Sequence, residues 1–209
     1  LSTTTDEIDD ALVDQGYITS LKLISSGSTA TLGVTTASGY IRKIFLNEDG
    51  YEYDKVPTVV IGTAPAGGTD ATAVAITTSV NGVNSVKEIL LINPGAGYSV
   101  TPTVTIVSAT STTLGVGSTT HGVGAAGTAL LVTDSAGIGT VTITSGGDGY
   151  PIAPTLFFGT PTSGVGTATG RVLVSAANTV TDVLISDAGI GYTSGTGIAT
   201  VSAPPVITG

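Results

Sequence analysis

The chain has 209 residues and no cysteine, with 15 acidic and 6 basic side chains for a formal net charge of −9. The acidity disfavours nucleic acid, which proteins bind through Lys and Arg on phosphates, and it disfavours an anionic membrane surface. The lack of cysteine excludes disulfides and thiol chemistry. Charged residues are only 10% of the chain, against roughly 25% in an average soluble domain, so Thr, Ser, Gly or neighbouring subunits must cover the surface.

The first element in chain order is an acidic segment, residues 1–29, which we interpret as an arm with a degenerate first unit around Tyr17. "TDEIDDALVDQG" (5–16) has helical periodicity and predicts a short helix that Gly16 ends. Its carboxylates indicate a solvated arm or a helix N-terminal turn, with metal capture as the alternative. Because the chain begins at Leu1 without methionine, we expect a processed product or a piece of a longer polypeptide.

A Gly-Tyr pair that follows an alternating strand occurs four times, with spacings of 47, 52 and 42 residues between the tyrosines. Repeats of this length indicate stacked structural units. Each pair follows an alternating strand, which itself follows a strand rich in small residues, and a Pro-Thr strand comes after the first three pairs. β-Branched residues dominate these strands, as half-buried pleated positions favour. The pairs are Gly50-Tyr51, Gly97-Tyr98, Gly149-Tyr150 and Gly191-Tyr192.

The connection between the first two strands of each unit predicts a hairpin turn. The turn residues are Ala-Ser-Gly (37–39), Asn-Gly (81–82), Ala-Gly (136–137) and Ala-Asn (177–178). Asn-Gly between alternating runs is the strongest short-range hairpin signal. We therefore predict an all-β fold of tandem repeats, each of about three short antiparallel strands, elongated or stacked, with at most one short N-terminal helix. The predicted units are 30–68, 69–124 with a glycine-rich insertion, 125–163, and a divergent terminal unit, 164–209.

The Gly-Tyr motif predicts a structural corner with a buried ring. Its glycine supplies a backbone conformation that a Cβ forbids, or permits a close approach. Each tyrosine is expected to lay its ring over small residues while its hydroxyl reaches a backbone group or water. The prolines Pro57, Pro102 and Pro154 are placed at the first residue of a strand, where proline is tolerated. The fourth unit has an insertion before Pro204 and Pro205, so a variant closing strand is expected.

No residue pattern predicts a catalytic centre, a cofactor or a metal. His121, the only histidine, lies in a glycine-rich insertion, and the sequence places no nucleophile or orienting acid beside it. The acids of "NEDGYEYD" (47–54) do not meet the twelve-residue calcium pattern, although calcium stays open as the alternative. "GVGTATG" (164–170) lacks the Lys-Ser/Thr and the helix of a phosphate loop. Aspartates that fall beside turns, where they commonly bond their own backbone, are Asp148, Asp182 and Asp187.

The order of a small-residue strand, an alternating strand, "GxGY" and "PT[VL]xI" resembles the tandem repeats of virion structural proteins of tailed bacteriophages, especially cyanophage-type tail, baseplate and fibre proteins. The resemblance covers about residues 30–207 and is carried by the Gly-Tyr pairs together with Pro57-Thr58, Pro102-Thr103 and Pro154-Thr155. It implies a non-enzymatic structural component of the particle, located in the virion. Such a component acts through contacts with other virion subunits or with itself, as a homo-oligomer such as a trimer.

Two alternatives stay open from the sequence. One is a repeat segment of a bacterial extracellular adhesin or surface protein, which places the chain at the cell surface. The other is a carbohydrate-binding module whose exposed tyrosines stack on a glycan, including a host-surface glycan. For trimeric packing, the small side chains of Ala71, Ala73 and Ala75 are expected to allow close approach of subunits. No apolar run approaches the roughly eighteen residues of a bilayer span, so membrane insertion is not expected.

Overall fold

The computed structural model describes residues 24–25, 31–51, 53, 55–80, 83–108, 123–163, 166–193, 199–204 and 207–208. Within these ranges the chain is all-β, as predicted, and contains no helix. Several predictions concern residues outside the described ranges: the helix at 5–16 with its acidic cluster, Tyr17, His121, and parts of 47–54 and 164–170.

The strands follow the period-two pattern of the sequence. In the strands Thr58–Ile61 and Val104–Val107, every second side chain faces inward, as the alternation of a pleated strand requires. The strands of the first half are β1 (Ile24–Ser25), β2 (Thr31–Ala37), β3 (Tyr40–Tyr51), β4 (Thr58–Ile61), β5 (Thr72–Val80), β6 (Val83–Asn93) and β7 (Val104–Val107). Those of the second half are β8 (Val123–Val132), β9 (Gly137–Ser145), β10 (Leu156–Phe158), β11 (Thr169–Val174), β12 (Val180–Asp187), β13 (Ala199–Val201) and β14 (Ile207–Thr208).

Two of the four predicted hairpins form, and the other two exchange strands. β5 pairs with β6 and β11 pairs with β12, both antiparallel. By contrast, β2 pairs with β9 and β3 pairs with β8, so the prediction that β2–β3 and β8–β9 are paired hairpins is wrong. Because β2 and β8 are similar small-residue strands, β3 finds the same side-chain pattern in either one, and such an exchange of like elements costs little. The exchange interlocks the two halves of the chain.

The remaining pairings join the hairpins and form small ribbons. A single residue pair, Leu91 with Ile185, links β6 to β12 and completes the four-stranded sheet β11-β12-β6-β5. β4 pairs with β7, β10 pairs with β13, and β1 pairs with β14, each as a two-stranded antiparallel ribbon. The fourth unit therefore has a closing strand, β13, although it lacks the Pro-Thr motif. This strand lies before Pro204.

The pairings of the first half recur in the second half. Val59 pairs with Ile106 across the first ribbon, and Leu156 pairs with Val201 across the second. Counterpart positions lie 94–97 residues apart, for example 156 − 59 = 97 and 185 − 91 = 94. Leu91 and Ile185 are thus counterparts that pair with each other. This arrangement places an approximate two-fold axis between β6 and β12.

The core is made of aliphatic side chains, alanines and tyrosine rings. Five tyrosines are almost fully buried: Tyr40, Tyr53, Tyr98, Tyr150 and Tyr192. Ala71 and Ala75 are also buried inside the chain, at 6% and 3% exposure, and Ala73 packs against the same core. The expectation that these alanines form a contact surface between subunits is therefore wrong for Ala71 and Ala75, because the chain's own core already covers them.

Candidate functional site

Tyr98 and Tyr192 close two corners with the same hydrogen bonds. Both rings are buried, at 3% and 1% exposure. The Tyr98 hydroxyl accepts a hydrogen bond from the Ala71 N–H (2.9 Å) and donates one to the Gly62 carbonyl (3.0 Å). The corresponding partners of Tyr192 are the Ala168 N–H at 2.8 Å and the Gly159 carbonyl at 2.9 Å. Each hydroxyl thus satisfies one buried donor and one half-buried acceptor, and such groups are costly to leave unpaired.

The first corner is not where the Gly-Tyr motif predicts it. β3 continues through Gly50 to Tyr51, whose side chain is 54% exposed. The buried ring is that of Tyr53, at 2% exposure, and its counterpart is Tyr150 at 0%. Gly50 has φ 61° and matches Gly147 with φ 60°, so it bends the strand three residues before Tyr53. The signal in the sequence is the spacing to proline, since a tyrosine stands four residues before each of Pro57, Pro102 and Pro154.

The exposure of the four motif tyrosines tests the expectation that they form a glycan-stacking surface. Tyr98, Tyr150 and Tyr192 are buried, as the packing prediction requires. Tyr51 alone is exposed, and the prediction that it is buried in the same way is wrong. One exposed ring does not make the row of open tyrosines that a stacking platform uses.

Each corner tyrosine also donates a backbone hydrogen bond to a residue in or beside the turn of the neighbouring unit. The Tyr53 N–H donates to the Asn84 carbonyl (3.1 Å), beside the turn of the β5–β6 hairpin, and the Tyr98 N–H donates to the Gly39 carbonyl (2.8 Å) in the β2–β3 turn. The first and second units therefore hold each other's turns. The third and fourth units do the same. The Tyr150 N–H donates to the Asn178 carbonyl (3.0 Å), and the Tyr192 N–H donates to the Ala136 carbonyl (3.0 Å).

The glycines and prolines of the motifs have separate roles in these corners. Gly97, Gly149 and Gly191 have φ of 78°, 77° and 85°, a region that residues with a Cβ rarely adopt. The prolines stand just before the strands, where no ladder hydrogen bond is lost. Pro57 precedes β4 directly, and Pro102 and Pro154 lie two residues before β7 and β10. They are therefore not the first residues of the strands, as the sequence suggested.

Tyr40 lies where the two halves meet. Its ring is fully buried, and its hydroxyl donates to the Gly189 carbonyl (2.5 Å). Its counterpart is Gly137, and a Cβ on Gly137 would overlap the Tyr40 ring. Positions 40 and 137 adjoin the same space near the approximate two-fold axis, and the Tyr40 ring fills that space. Burial raises the pKa of the Tyr40 hydroxyl from 10.0 to about 12, and the carboxylates of Asp187 and Asp134 add to this.

One depression on the described surface is a groove of about 400 Å³ between β3, β6 and the ends of β11 and β12, which we call the cationic groove. Its apolar floor comes from Ile44, Ile89 and Leu90. The side chain of Phe45 is 46% exposed, and the Lys43 ammonium lies 5.1 Å from the centre of its ring. The polar and charged side chains of the lining are Lys43, Lys87, Glu88, Thr169, Ser186 and Asp187.

Two ion pairs neutralise the carboxylates of the cationic groove. Arg42 binds Asp187 with two hydrogen bonds, from Nε to Oδ1 (2.7 Å) and from Nη2 to Oδ2 (3.0 Å). Hydrogen bonding to Asp187 raises the pKa of Arg42 above its ordinary value. Arg171 binds Glu88 at 2.7 Å. Two of the chain's six basic residues, Lys43 and Lys87, therefore line this groove, and two more bind its carboxylates from beside it.

The second half has a counterpart groove of about 500 Å³, which we call the threonine groove. Its positions match those of the cationic groove, but Thr140 and Thr181 stand where Lys43 and Lys87 stand in the first half. Thr142 replaces Phe45, and Asn93 replaces Asp187. Asp182 is the one charged residue in its lining. Neither groove is predictable from the sequence, because nothing in it indicates that β3 lies beside β6 or that β9 lies beside β12.

The described residues offer little support for the other sites considered from the sequence. No group of three or more His, Asp or Glu side chains in the described ranges is placed to hold a metal ion. Thr169 and Gly170 of the glycine-rich 164–170 segment belong to strand β11. No helix in the described part of the chain is long and apolar enough to span a bilayer. Comparison with protein-family models, curated proteins and solved structures gives no match.

Proposed function

We propose that the chain is a non-enzymatic structural module of a bacteriophage particle, built from tandem β-repeats, in the tail, baseplate, fibre or surface decoration. Its partners are other virion subunits or further copies of itself. The resemblance of the Gly-Tyr and Pro-Thr motifs to phage virion repeats supports this role. The structural observation that carries it is the exposure of apolar side chains at counterpart positions of the two ribbons.

The ribbons β4–β7 and β10–β13 carry these apolar side chains on their outward faces. Val60, in the middle of β4, is 50% exposed, and its counterpart Phe157 in β10 is 54% exposed. Val107 is a further outward residue of the first ribbon, at 46% exposure. Scattered exposed apolar residues are normal, whereas exposure at the same place in two similar units favours a surface that a partner covers.

The edges of the ribbons favour the same role. Among the described strands, β4 and β7 form ladders only with each other, and so do β10 and β13. None of these four strands contains a charged residue, although charges are a usual protection against edge-to-edge pairing. A two-stranded ribbon is only marginally stable alone. A strand from a neighbouring subunit added at either edge would complete the backbone hydrogen bonds.

The recurrence of contacts supports the tandem-repeat part of the proposal. The hydroxyl bonds of Tyr98 and Tyr192 match in kind and in length. The backbone bond from Ile41 to Pro94 likewise matches that from Ile138 to Ala188, at 2.9 and 2.8 Å. We interpret the chain as two copies of a double unit whose first units have exchanged a strand.

Self-association tests the assembly surface directly. We expect light scattering of the purified chain at micromolar concentration to give a mass above the monomer mass of 20.4 kDa. A Val60→Glu/Phe157→Glu variant should be shifted towards the monomer, because each carboxylate would have to be desolvated at the contact. Leu173→Glu is the matched control, since Leu173 is 39% exposed on the β11–β12 hairpin rather than on a ribbon. Monomers for all three chains would contradict assembly through further copies of the chain, and an equal shift in the control would contradict the role of the ribbon faces.

The location is tested on the particle itself. Mass spectrometry of gradient-purified phage from lysates that express the chain should detect its peptides together with those of tail and baseplate proteins. Antibodies against the chain should label one defined part of the particle in electron micrographs. Detection only on the surface of uninfected bacteria would contradict the virion role and favour the adhesin alternative.

A further inference from the structure

The cationic groove presents hydrogen-bond donors whose charge is not balanced locally. Its two carboxylates are already bound, Asp187 by Arg42 and Glu88 by Arg171. The ammonium groups of Lys43 and Lys87 form no ion pair with a carboxylate of the described residues. The Thr169 and Ser186 hydroxyls bond each other at 2.8 Å, which leaves the accepting hydroxyl with a proton to donate. The groove therefore suits a ligand that is rich in acceptors and carries negative charge.

The fold does not require these groups, as the threonine groove demonstrates. The same backbone positions in the second half hold Thr140 and Thr181 instead of lysines, in strands that make the same pairings. Phe45 is likewise replaced by Thr142. A half-exposed aromatic ring and two lysines without carboxylate partners stabilise the folded chain little. Their presence in only one of two matching grooves points to binding rather than to packing.

We infer that the cationic groove binds an acidic saccharide, one or two sugar rings that carry carboxylate or sulfate groups. Its volume of about 400 Å³ lies in the range of roughly 300–1,000 Å³ usual for small-ligand sites. Lys43 and Lys87 pair with the anionic groups, the Thr169–Ser186 hydroxyls bond sugar hydroxyls, and Phe45 packs against a ring face. The chain's net charge of −9 disfavours a long polyphosphate such as DNA. This activity is independent of the assembly role.

Calorimetry with defined probes tests the ligand class. We expect trigalacturonate or a sulfated heparin disaccharide to bind the full chain at one site, with a dissociation constant on the order of 0.1–1 mM. Neutral maltotriose should bind at least about 10-fold more weakly, and raising the salt concentration should weaken binding of the acidic probes. The two acidic probes distinguish carboxylate from sulfate as the preferred group. Equal binding of maltotriose, tighter binding of a DNA duplex, or no binding of either acidic probe overturns the inference.

Substitutions taken from the threonine groove test the site. Lys43→Thr/Lys87→Thr introduces residues that the second half already tolerates at these positions, so folding should be preserved, which thermal unfolding checks. We expect this variant to bind the acidic probe about 10-fold to 100-fold more weakly. Phe45→Thr should weaken binding about 3-fold to 10-fold. The control, Thr142→Ala/Thr181→Ala in the other groove, should stay within about 2-fold of the unmodified chain. Unchanged binding by the folded double-lysine variant, or an equal loss in the control, overturns the site.

Discussion

The two halves of the chain differ in their grooves while agreeing in their backbone contacts. The cationic groove has Lys43, Lys87 and Phe45 where the threonine groove has threonines. The corner bonds of Tyr98 and Tyr192, by contrast, agree within about 0.1 Å. Buried tyrosines and their backbone partners therefore specify the fold, because a lost bond leaves a buried polar group unsatisfied. Groove side chains can vary without loss of the fold, because surface polar groups are not left unsatisfied as buried ones are.

The two halves also differ at position 40 and its counterpart, position 137, and the packing of the halves against each other requires this difference. Tyr40 and Gly137 are counterparts that meet in one space, and a Cβ on Gly137 would overlap the Tyr40 ring. Two large side chains do not fit there, and two glycines would leave a cavity. The asymmetry at this position is therefore a consequence of packing, whereas the asymmetry of the grooves is not.

The largest loss of stability is expected when a corner tyrosine is removed. If Tyr53 and Tyr150 did not show similar losses, the corners of the two halves would not be equivalent. Tyr53→Ala and Tyr150→Ala should each lower the free energy of unfolding by about 3–5 kcal/mol, because both rings are buried. Tyr51→Ala is the matched control and should cost about 0.5 kcal/mol or less, since its ring is 54% exposed. Denaturant unfolding measures all three. A loss at Tyr51 equal to that at Tyr53 would restore the Gly-Tyr pair as the first corner.

That corner illustrates how far the sequence predicts this fold. The all-β class, the β5–β6 and β11–β12 hairpins, and the burial of Tyr98, Tyr150 and Tyr192 follow from local patterns of strand alternation and turn residues. Tyr53 is obscured by Tyr51, because Tyr51 directly follows a glycine and only the proline four residues after Tyr53 marks the true corner. That spacing is local, so the position of the first corner is predictable from the sequence.

Other features were beyond local reasoning. The exchange of β2 and β8 depends on which of two similar strands β3 pairs with, and strand pattern alone does not distinguish similar partners. The cationic groove depends on β3 lying beside β6, so Lys43 and Lys87 were only two isolated lysines in the sequence. Tyr40 likewise follows the β2–β3 turn, and its burial against Gly137 arises from long-range contact.

Exchanging the residues at positions 40 and 137, where the two halves meet, tests whether the two halves are interchangeable there. Tyr40→Gly should leave a cavity, and Gly137→Tyr should crowd the existing ring, so each alone should destabilise the chain. In the double variant the new ring at residue 137 fills the vacated space from the other side. We expect a favourable coupling of about 2 kcal/mol between the two changes in a double-mutant cycle of unfolding free energies. Additive losses would show that the two sides of the axis are not interchangeable.

The pH dependence of stability should also distinguish the halves, since Gly137 has no hydroxyl to match that of Tyr40. The folded pKa of Tyr40 is raised to about 12 from 10.0, so folding favours its neutral form. This contribution is fully present below pH 10 and is lost as the pH rises from about 10 to 12, for a total of about 2–3 kcal/mol. Denaturant unfolding at pH 8, 10, 11 and 12 measures it. Tyr40→Phe is the control and should show a shallower decline over that window, and identical slopes would contradict the assignment.

The smallest expected effect separates the role of Asp187 in the turn from its role in the ion pair. Its Oδ1 accepts from the Gly189 N–H (2.8 Å), just as Asn93 Oδ1 accepts from the Gly95 N–H (2.9 Å) in the other half. Asp187→Asn therefore keeps the turn acceptor, while it removes the charge that Arg42 binds and the Oδ2 acceptor of the Arg42 Nη2 hydrogen bond. We expect a loss of about 1 kcal/mol in unfolding free energy, because both side chains of the pair are about one-fifth to one-quarter exposed. The loss should shrink in high salt.

Asp187→Ala should cost about 1 kcal/mol more than Asp187→Asn, because the Gly189 N–H then loses its acceptor. Asn93→Ala should have the same cost in its own turn. If Asp187→Asn and Asp187→Ala cost the same, the carboxylate serves the ion pair alone and the match with Asn93 has no energetic consequence.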